Sequence, residues 1–350
     1  MALKGLDIFK LTPKTNCKDC GNPTCMAFAM KVAQGAVSIE KCPHMSDEAL
    51  AVLSDATAPP MKKIPLGPGD KLTLGGETVL FRHDKTFVSK NLFAVSVRDD
   101  CFDQTLDETK KVDYDRLGER MHVELLNVIY EGDKDKYTSL VKKAAESGCV
   151  LILDCDDTDA ARAALEICAG SKPLLNGANP ANYKAMNELA TEFGVVLGVS
   201  GANLDELYDT TAALEQLGNK NLVMDVGCVS IKDAFSGAVQ IRRAALKGNN
   251  RTCGYPSLVN VGALAPGNEY LQTALASVFI LKYGSIIVME KMTYPQAFPL
   301  FGLRQNIYTD PQKPMKVEPG VYPLNGADPD STCVTTVDFR ADLFCGVRRA

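Results

Sequence analysis

Val150-Leu151-Ile152-Leu153-Asp154, a helical stretch over Thr158–Ala169, and then Pro173-Leu174-Leu175 form one unit of a pattern that runs through most of the chain. A continuous apolar run of five residues fits a strand buried on both faces, and the alanine-rich stretch after it has helical spacing. The same alternation appears on either side. Further strands are expected at Leu92–Val97, Leu125–Tyr130, Gly194–Val199, Leu222–Val226, Ser257–Val261 and Ser285–Glu290, with helices at Lys136–Ser147, Ala181–Phe193, Leu204–Leu217 and Ala234–Lys247. About eight β/α units over roughly 240 residues is what a (β/α)8 TIM-type barrel requires, and an open doubly wound sheet is the alternative. No G-x-G-x-x-G follows the first strand and no G-x-x-x-x-G-K-[ST] occurs, so dinucleotide and P-loop sites lack their parts.

Ahead of the alternation lies Asn16-Cys17-Lys18-Asp19-Cys20-Gly21-Asn22-Pro23-Thr24-Cys25, answered by Cys42-Pro43. The spacing C-x2-C-x4-C-x16-C supplies four thiolates, a complete set for a tetrahedral metal or a [4Fe–4S] cube. Gly21 and Pro23 let the loop curl, and a small-residue helix over Met26–Gly35 returns the chain so that Cys42 can close the cage. Three other readings compete. Disulfides need an oxidising compartment, structural zinc usually takes two C-x2-C knuckles, and incidental buried cysteines rarely show such spacing. Cys17, Cys20, Cys25 and Cys42 are therefore read as the ligands of an iron–sulfur cluster, with zinc the principal alternative.

The bounds agree with a large globular protein. A chain of 350 residues with 46% hydrophobic content can bury a sizeable core. Net charge is −5 with no long basic run, which argues against nucleic acid as a partner. Met1–Lys14 lacks a signal-peptide core, and Leu271–Met289 is interrupted by Lys282 and Gly284 and reads as helix, turn and strand; no membrane span is expected, and the location is expected to be cytoplasmic. His44, His83 and His122 are scattered and read as structural or surface residues. Cys101, Cys149, Cys155, Cys168, Cys228, Cys253, Cys333 and Cys345 show no ligand spacing and read as small buried hydrophobes.

In order, residues 1–57 are expected to form a small four-cysteine [4Fe–4S] domain, with helices near Gly5–Leu11 and, capped by Ser46, over residues 46–53. Such a module has little core and needs the cluster as a staple. Residues 58–70 read as a Pro/Gly-rich linker, and 71–91 as a β-hairpin connection in which Leu72-Thr73-Leu74 turns at Gly75-Gly76 into Thr78-Val79-Leu80-Phe81. The barrel is expected over 92–330. Its strand ends carry polar residues: Arg98-Asp99-Asp100, Glu131 and Asp133, Asp154 to Asp157, Asn176 to Asn179, Ser200 to Asn203, Asp225, Asn260, and Glu290-Lys291. Most are read as helix caps, because no nucleophile–base–acid set emerges among them.

The opening Leu3–Leu11, the four-cysteine loop, Thr78–His83, and the run Leu303-Arg304-Gln305-Asn306-Ile307-Tyr308-Thr309-Asp310-Pro311-Gln312-Lys313-Pro314 with Val317-Glu318-Pro319-Gly320 resemble the large (gamma) subunit of the corrinoid iron–sulfur protein. That family serves the CO dehydrogenase/acetyl-CoA synthase pathway of anaerobes, and the resemblance spans nearly the whole chain. It implies a [4Fe–4S] domain, a (β/α)8 barrel and a carboxyl-terminal cobamide-binding domain, with Cys17, Cys20, Cys25 and Cys42 matching the cluster ligands. It implies a methyl-group carrier whose cobalt, as Co(I), takes a methyl group from methyltetrahydrofolate with the help of a methyltransferase. The methyl then passes to acetyl-CoA synthase, while the cluster reactivates Co(II). The implied partners are a small subunit (as heterodimer), the methyltransferase, acetyl-CoA synthase and an electron donor such as ferredoxin.

The end of the chain departs from that family. A cobamide domain should begin near Ser331, and Phe339–Ala350 lose family character; a back-translation shifted by one nucleotide can read A-L-T-Y-F-A-V-S-G-E after Phe339. The expectation is that a frameshift, biological or of sequencing, leaves residues 331–350 as the truncated start of that domain. The competing functions are a [4Fe–4S] electron-transfer protein without corrinoid, a pterin-dependent barrel methyltransferase, and a zinc-stabilised interaction protein.

Overall fold

The structure, a computed structural model, describes residues 5–33, 37, 39–46, 48–50, 60–81, 84, 87–116, 118–226, 230–309, 320–321 and 328–331. Two short helices open it, α1 (Gly5–Leu11) and α2 (Cys25–Ala33), then strands β1 (Lys63–Leu66) and β2 (Leu72–Gly75). The repeating part is β3 (Leu92–Val97), α3 (Phe102–Lys110), β4 (Tyr114–Arg116), β5 (Glu119–Met121), β6 (Leu125–Ile129), α4 (Lys134–Ala145), β7 (Val150–Asp154) and α5 (Thr158–Cys168). It continues through β8 (Leu174–Ala178), α6 (Tyr183–Phe193), β9 (Val196–Val199), α7 (Leu204–Gln216), β10 (Leu222–Asp225) and α8 (Ile231–Leu246). It closes with β11 (Ser257–Asn260), α9 (Val261–Leu264), α10 (Glu269–Leu281), β12 (Ile286–Met289) and α11 (Tyr294–Ile307).

Strands β3, β6, β7, β8, β9, β10, β11 and β12 pair in parallel, and β12 closes on β3, giving the eight-stranded barrel expected from the alternation. All four residues of β9, β10 and β12 are buried, which is why these strands read as unbroken apolar runs. Inside the wall and beneath the helices lies one large core that includes Leu125, Leu151, Ile152, Leu174, Leu197 and Val223, each with no exposed surface. A second cluster packs Phe93 and Val95 outward against Phe301 and Leu300 of α11, with Phe93 and Phe301 edge to face at 5.2 Å. Among the described residues no helix is long and apolar enough to cross a membrane.

Two expectations need correction. The turn expected at Gly75-Gly76 is not one: β2 pairs backwards with β1, Ile64 opposite Leu74 and Leu66 opposite Leu72, and the chain turns at Gly67–Lys71. Thr78–Phe81 form no strand. Gly75 has φ 75°, and a Cβ there would overlap the Lys62 carbonyl oxygen, so the glycine serves a close approach of backbones. Residues 61–66, expected within the linker, are also built into the barrel. Met61, Ile64, Leu66 and Leu74 join its core, and Lys62 N–H donates to the Gly254 carbonyl at 2.7 Å. Gly67 sits against Val150 and its N–H donates to the Lys172 carbonyl at 3.2 Å. Gly254, Lys172 and Val150 all stand at the starts of barrel strands. The β1–β2 hairpin therefore plugs the amino-terminal end of the barrel.

Glu215 fastens that plug. It accepts from Lys62 Nζ at 2.5 Å, from Tyr255 OH at 2.8 Å and from Thr252 Oγ1 at 2.7 Å, while Lys62 lies 3.5 Å over the Tyr255 ring. Burial pushes the Glu215 carboxyl up, but these three donors overcome it and hold the group below its ordinary value.

Candidate metal centre and barrel rim

Three local devices place Cys17, Cys20, Cys25 and Cys42 along one small helical region. Helix α1 packs on α2 because Gly5 leaves room for Met30. Thr24 caps α2, its Oγ1 accepting from Ala27 N–H at 3.1 Å, which puts Cys25 at the helix amino terminus. The chain after α2 returns through a short 3-10 turn, Ile39–Lys41, that delivers Cys42. The helix ends at Ala33; Gly35, Val52, Leu53 and most of the residues after them up to Pro60 lie outside the described residues.

The loop itself has an unusual backbone. Lys14, Asn16 and Lys18 hold φ of 58°, 52° and 69°, and Gly21 follows at 74°. Three non-glycine residues in the left-handed region cost on the order of 1–3 kcal/mol each, and alternation of this kind turns successive N–H groups toward one concavity, as at many anion and Fe–S sites. Side chains hold the curl: Asn16 Oδ1 accepts from Cys25 N–H at 2.8 Å. Asn22, 4% exposed, aims its amide at the Cys20 carbonyl at 3.2 Å and the Cys20 sulfur at 3.6 Å.

Cys20, Cys25 and Cys42 are buried and Cys17 is exposed. Cys20 and Cys42 belong to the small core of this region with Ile8, Phe28, Ala29, Val32, Ile39, Met45 and Ala49. Beside Cys17, His44 Nε2 lies 2.6 Å from Asp19 Oδ2. That contact first, and then a hydrogen bond with Cys17, holds the Asp19 carboxyl below its usual range. His44 is a surface residue, as expected, and its pairing with Asp19 joins residues 25 apart through the return of the chain. Among the described residues the trio of ligand-type side chains meeting within 4.8 Å is Cys17, Asp19 and His44, all exposed, and not three of the cysteines. A lone zinc ion with Zn–S near 2.3 Å draws tetrahedral sulfurs to about 3.8 Å of one another, whereas a cube with an iron at each bonded corner spreads them wider.

At the barrel rim four of the strand-end residues are helix caps. Asp133 accepts from Asp135 and Lys136 N–H, Asp157 from Asp159 and Ala160, Asn203 from Glu206, and Asn260 from Ala263. Glu290 instead bridges Gly267 N–H and Gln272 Nε2, both at 2.8 Å. A different set turns inward: Asn127, Asp154, Asn176 and Asp225, joined by amide-to-carboxylate contacts of 3.1–3.4 Å. Asn127 sits in mid-strand, so end-of-strand reading passed over it. Burial raises the Asp154 carboxyl above its ordinary value, against hydrogen bonds from Asn127 and Asn176.

The remaining described cysteines behave as packing residues. Burial pushes the Cys155 and Cys168 thiols up to about 12. Cys228, Cys333, Cys345 and His83 lie outside the described residues, as do residues 310–319 of the motif after Leu303 and residues 332–350. Arg304, the start of that motif, is 3% exposed. It donates to Glu124 Oε1 at 2.7 Å and the Asn91 carbonyl at 3.0 Å, and lies over the Phe93 and Phe301 rings. Its place is structural: Glu124 in turn accepts from Phe93 N–H at 2.9 Å, tying α11 to the first barrel strand.

The family described as CO dehydrogenase/acetyl-CoA synthase delta subunit matches residues 63–345, and an Fe–S cluster family matches residues 13–44, which hold all four cysteines. The corrinoid/iron–sulfur protein large subunit of Moorella thermoacetica is 37% identical over 97% of this chain and 77% of its own length. The acetyl-CoA decarbonylase/synthase complex subunit gamma of Archaeoglobus fulgidus is 32% identical over 95% of this chain and 76% of its own. Among solved structures, dihydropteroate synthase from Thermus thermophilus overlays 71% of this chain and 100% of its own with a TM-score of 0.49 and 14% identity; the barrel assignment stands on strand pairing alone. The delta-subunit match leaves out the cysteine loop, whereas the large- and gamma-subunit relatives align over 95–97% of the chain. The chain belongs to the family of the corrinoid/iron–sulfur protein large subunit, the gamma subunit of the acetyl-CoA decarbonylase/synthase complex.

Proposed function

We propose that this chain is the large subunit of a methyl-group carrier and that Cys17, Cys20, Cys25 and Cys42 hold one [4Fe–4S] cluster. The observation that carries the assignment is the loop: four thiols, a left-handed backbone alternation at Lys14, Asn16 and Lys18, and the Asn22 amide aimed at the Cys20 sulfur. Cys20, Cys25 and Cys42 would bind from the protein side, shielded by Phe28 and Ile39, and Cys17 from the solvent side. Asn16 and Asn22 keep the loop curled. When bound, the cluster supplies single electrons, which in this family return the corrinoid cobalt from Co(II) to Co(I).

The same family membership supports the finer assignments. The partners are the small subunit in a heterodimer, a methyltetrahydrofolate methyltransferase as methyl source, acetyl-CoA synthase as methyl acceptor, and a ferredoxin-type donor that meets the exposed Cys17 edge. The four-cysteine module over residues 1–57 and the barrel over 92–330 act as separate units, one for electrons and one for assembly. The chain carries out methyl transfer as part of a complex.

Anaerobic purification followed by iron, sulfide, zinc and cobalt analysis tests the reading. About four irons and four sulfides per chain, with a broad visible band lost in the Cys20→Ser and Cys42→Ser variants, is the expected result. Zinc without iron would overturn the redox role.

A further inference from the structure

Cys17 differs from the other three cysteines of its module in what surrounds it. Cys20, Cys25 and Cys42 are buried, and Cys20 and Cys42 pack among Ile8, Phe28, Ala29, Val32 and Ile39. None of those neighbours can bind a metal. Cys17 is exposed, and a carboxylate and an imidazole stand beside it. One ligand-type atom from each of Cys17, Asp19 and His44 lies within 4.8 Å of the other two. Among the described residues no other three His, Cys, Asp or Glu side chains meet so closely.

Both neighbours are presented by closed turns. Asp19 sits in the turn Lys18–Gly21, where Gly21 N–H donates to the Lys18 carbonyl at 2.8 Å. His44 sits in the turn Cys42–Met45, where Met45 N–H donates to the Cys42 carbonyl at 3.4 Å. Pro43 stiffens that turn, and Met45, 8% exposed, anchors it in the small core. The 2.6 Å contact between His44 Nε2 and Asp19 Oδ2 joins the segment of the first two cysteines to the segment of the fourth. An ionised carboxylate can only accept, so Nε2 carries the proton and Nδ1 of the neutral ring keeps its lone pair. An imidazole clasped by a carboxylate at one nitrogen and open at the other is the arrangement that orients metal-bound histidines.

We propose that His44 is a stand-in ligand for the iron held by Cys17, binding through Nδ1, and that Asp19 is the positioning residue that orients it. The inference rests on the cluster reading given above. In the exchange the Fe–Sγ bond breaks and an Fe–Nδ1 bond forms. The departing thiolate takes a proton from water, and no electron moves. Imidazole replaces thiolate on iron in Rieske centres, where it raises the potential. The stand-in lies where it is needed, because oxidants reach an exposed cysteine sulfur before a buried one. A cluster that loses its Cys17 bond therefore keeps its fourth iron.

The test is iron analysis and electron paramagnetic resonance of the full chain, purified anaerobically, unsubstituted and as Cys17→Ala. Cys17→Ala is expected to retain about four irons. Its reduced cluster should show a nitrogen hyperfine coupling that the unsubstituted chain lacks, and a raised midpoint potential. Adding His44→Ala should remove that coupling and one iron, leaving the signal of a three-iron cluster. Adding Asp19→Ala instead should weaken retention of that iron by about 10–100-fold. Cys17→Ala with three irons or none, or with four irons and no nitrogen coupling, would overturn the proposal. A second measurement keeps Cys17 in place and so does not depend on that variant folding. His44→Ala in the otherwise unsubstituted chain should lose its first iron to a limiting oxidant several-fold faster, and an unchanged rate would overturn the proposal as well. Absence of iron from the unsubstituted chain would remove the cluster reading itself, and the stand-in with it.

Discussion

The barrel and the cysteine module solve the problem of staying folded in opposite ways. The barrel buries a large apolar interior in which many side chains have no exposed surface, and each such Leu, Ile or Phe contributes about 1.5–3 kcal/mol. The described core of the module is a short group around Ile8, Phe28, Ala29 and Val32 into which two of the proposed ligands, Cys20 and Cys42, are themselves packed. Its loop also carries left-handed backbone at three non-glycine residues. A region with that little apolar burial and that much strain depends on bonds to something it does not encode, whereas the barrel encodes all it needs.

The sharpest way to break the comparison is to remove the metal. Replacement of Cys20 by Ala, or treatment with an iron chelator, should abolish the visible absorbance and open residues 5–50 to protease, leaving the barrel's melting transition in place; a common loss of both transitions would show that the regions fold as one. Arg304→Ala should come next, and should fall on the barrel alone. It strands Glu124 in a buried position, which costs about 3–5 kcal/mol, read as a lowered denaturation midpoint at unchanged iron content. Leu66→Ala removes a fully buried side chain from the plug and should cost about 2–5 kcal/mol. Smaller is the pH effect of Glu215. Its folded carboxyl lies below the ordinary value, so the stability it lends is full above the unfolded value and fades as the pH falls through the folded one. Glu215→Gln should therefore lower the melting temperature at neutral pH, with the gap to the unsubstituted chain narrowing in acid. The smallest change is Asn22→Ala, which removes an amide aimed at the Cys20 sulfur. Hydrogen bonds to sulfur favour the more negative, reduced cluster, so the midpoint potential should fall, by about 60 mV for each tenfold lost. An unchanged potential would mean the amide serves only the loop.

Legibility in the sequence divided along the same line. Strands buried on both faces read as apolar runs, so Leu92–Val97 and Val150–Asp154 match the observed strands end to end. The cysteine spacing was equally plain. The plug was not, because Gly75-Gly76 looks like a hairpin turn, while the true reason for Gly75 is the Lys62 carbonyl pressed against it. The inward polar set was hidden for a related reason. That Asp154, Asn176 and Gly198 stand side by side is fixed by register across three strands, and register between parallel strands is set by packing and not by any local motif. Arg304 shows the converse: a motif residue that carries the family resemblance proves to tie one helix to the first barrel strand.

The plug also sets a leash. The last described residue of the cysteine module is Leu50 and the first of the barrel is Pro60, whose carbonyl abuts Gly254 at the amino-terminal end of the barrel. Roughly ten residues of chain can reach at most about 35 Å. The module is therefore moored at the plugged pole, its last described residue Leu50 held within that distance of Pro60, while Asn176 and Asp225 occupy the opposite pole. A module on such a mooring has its working range measured from the barrel's base.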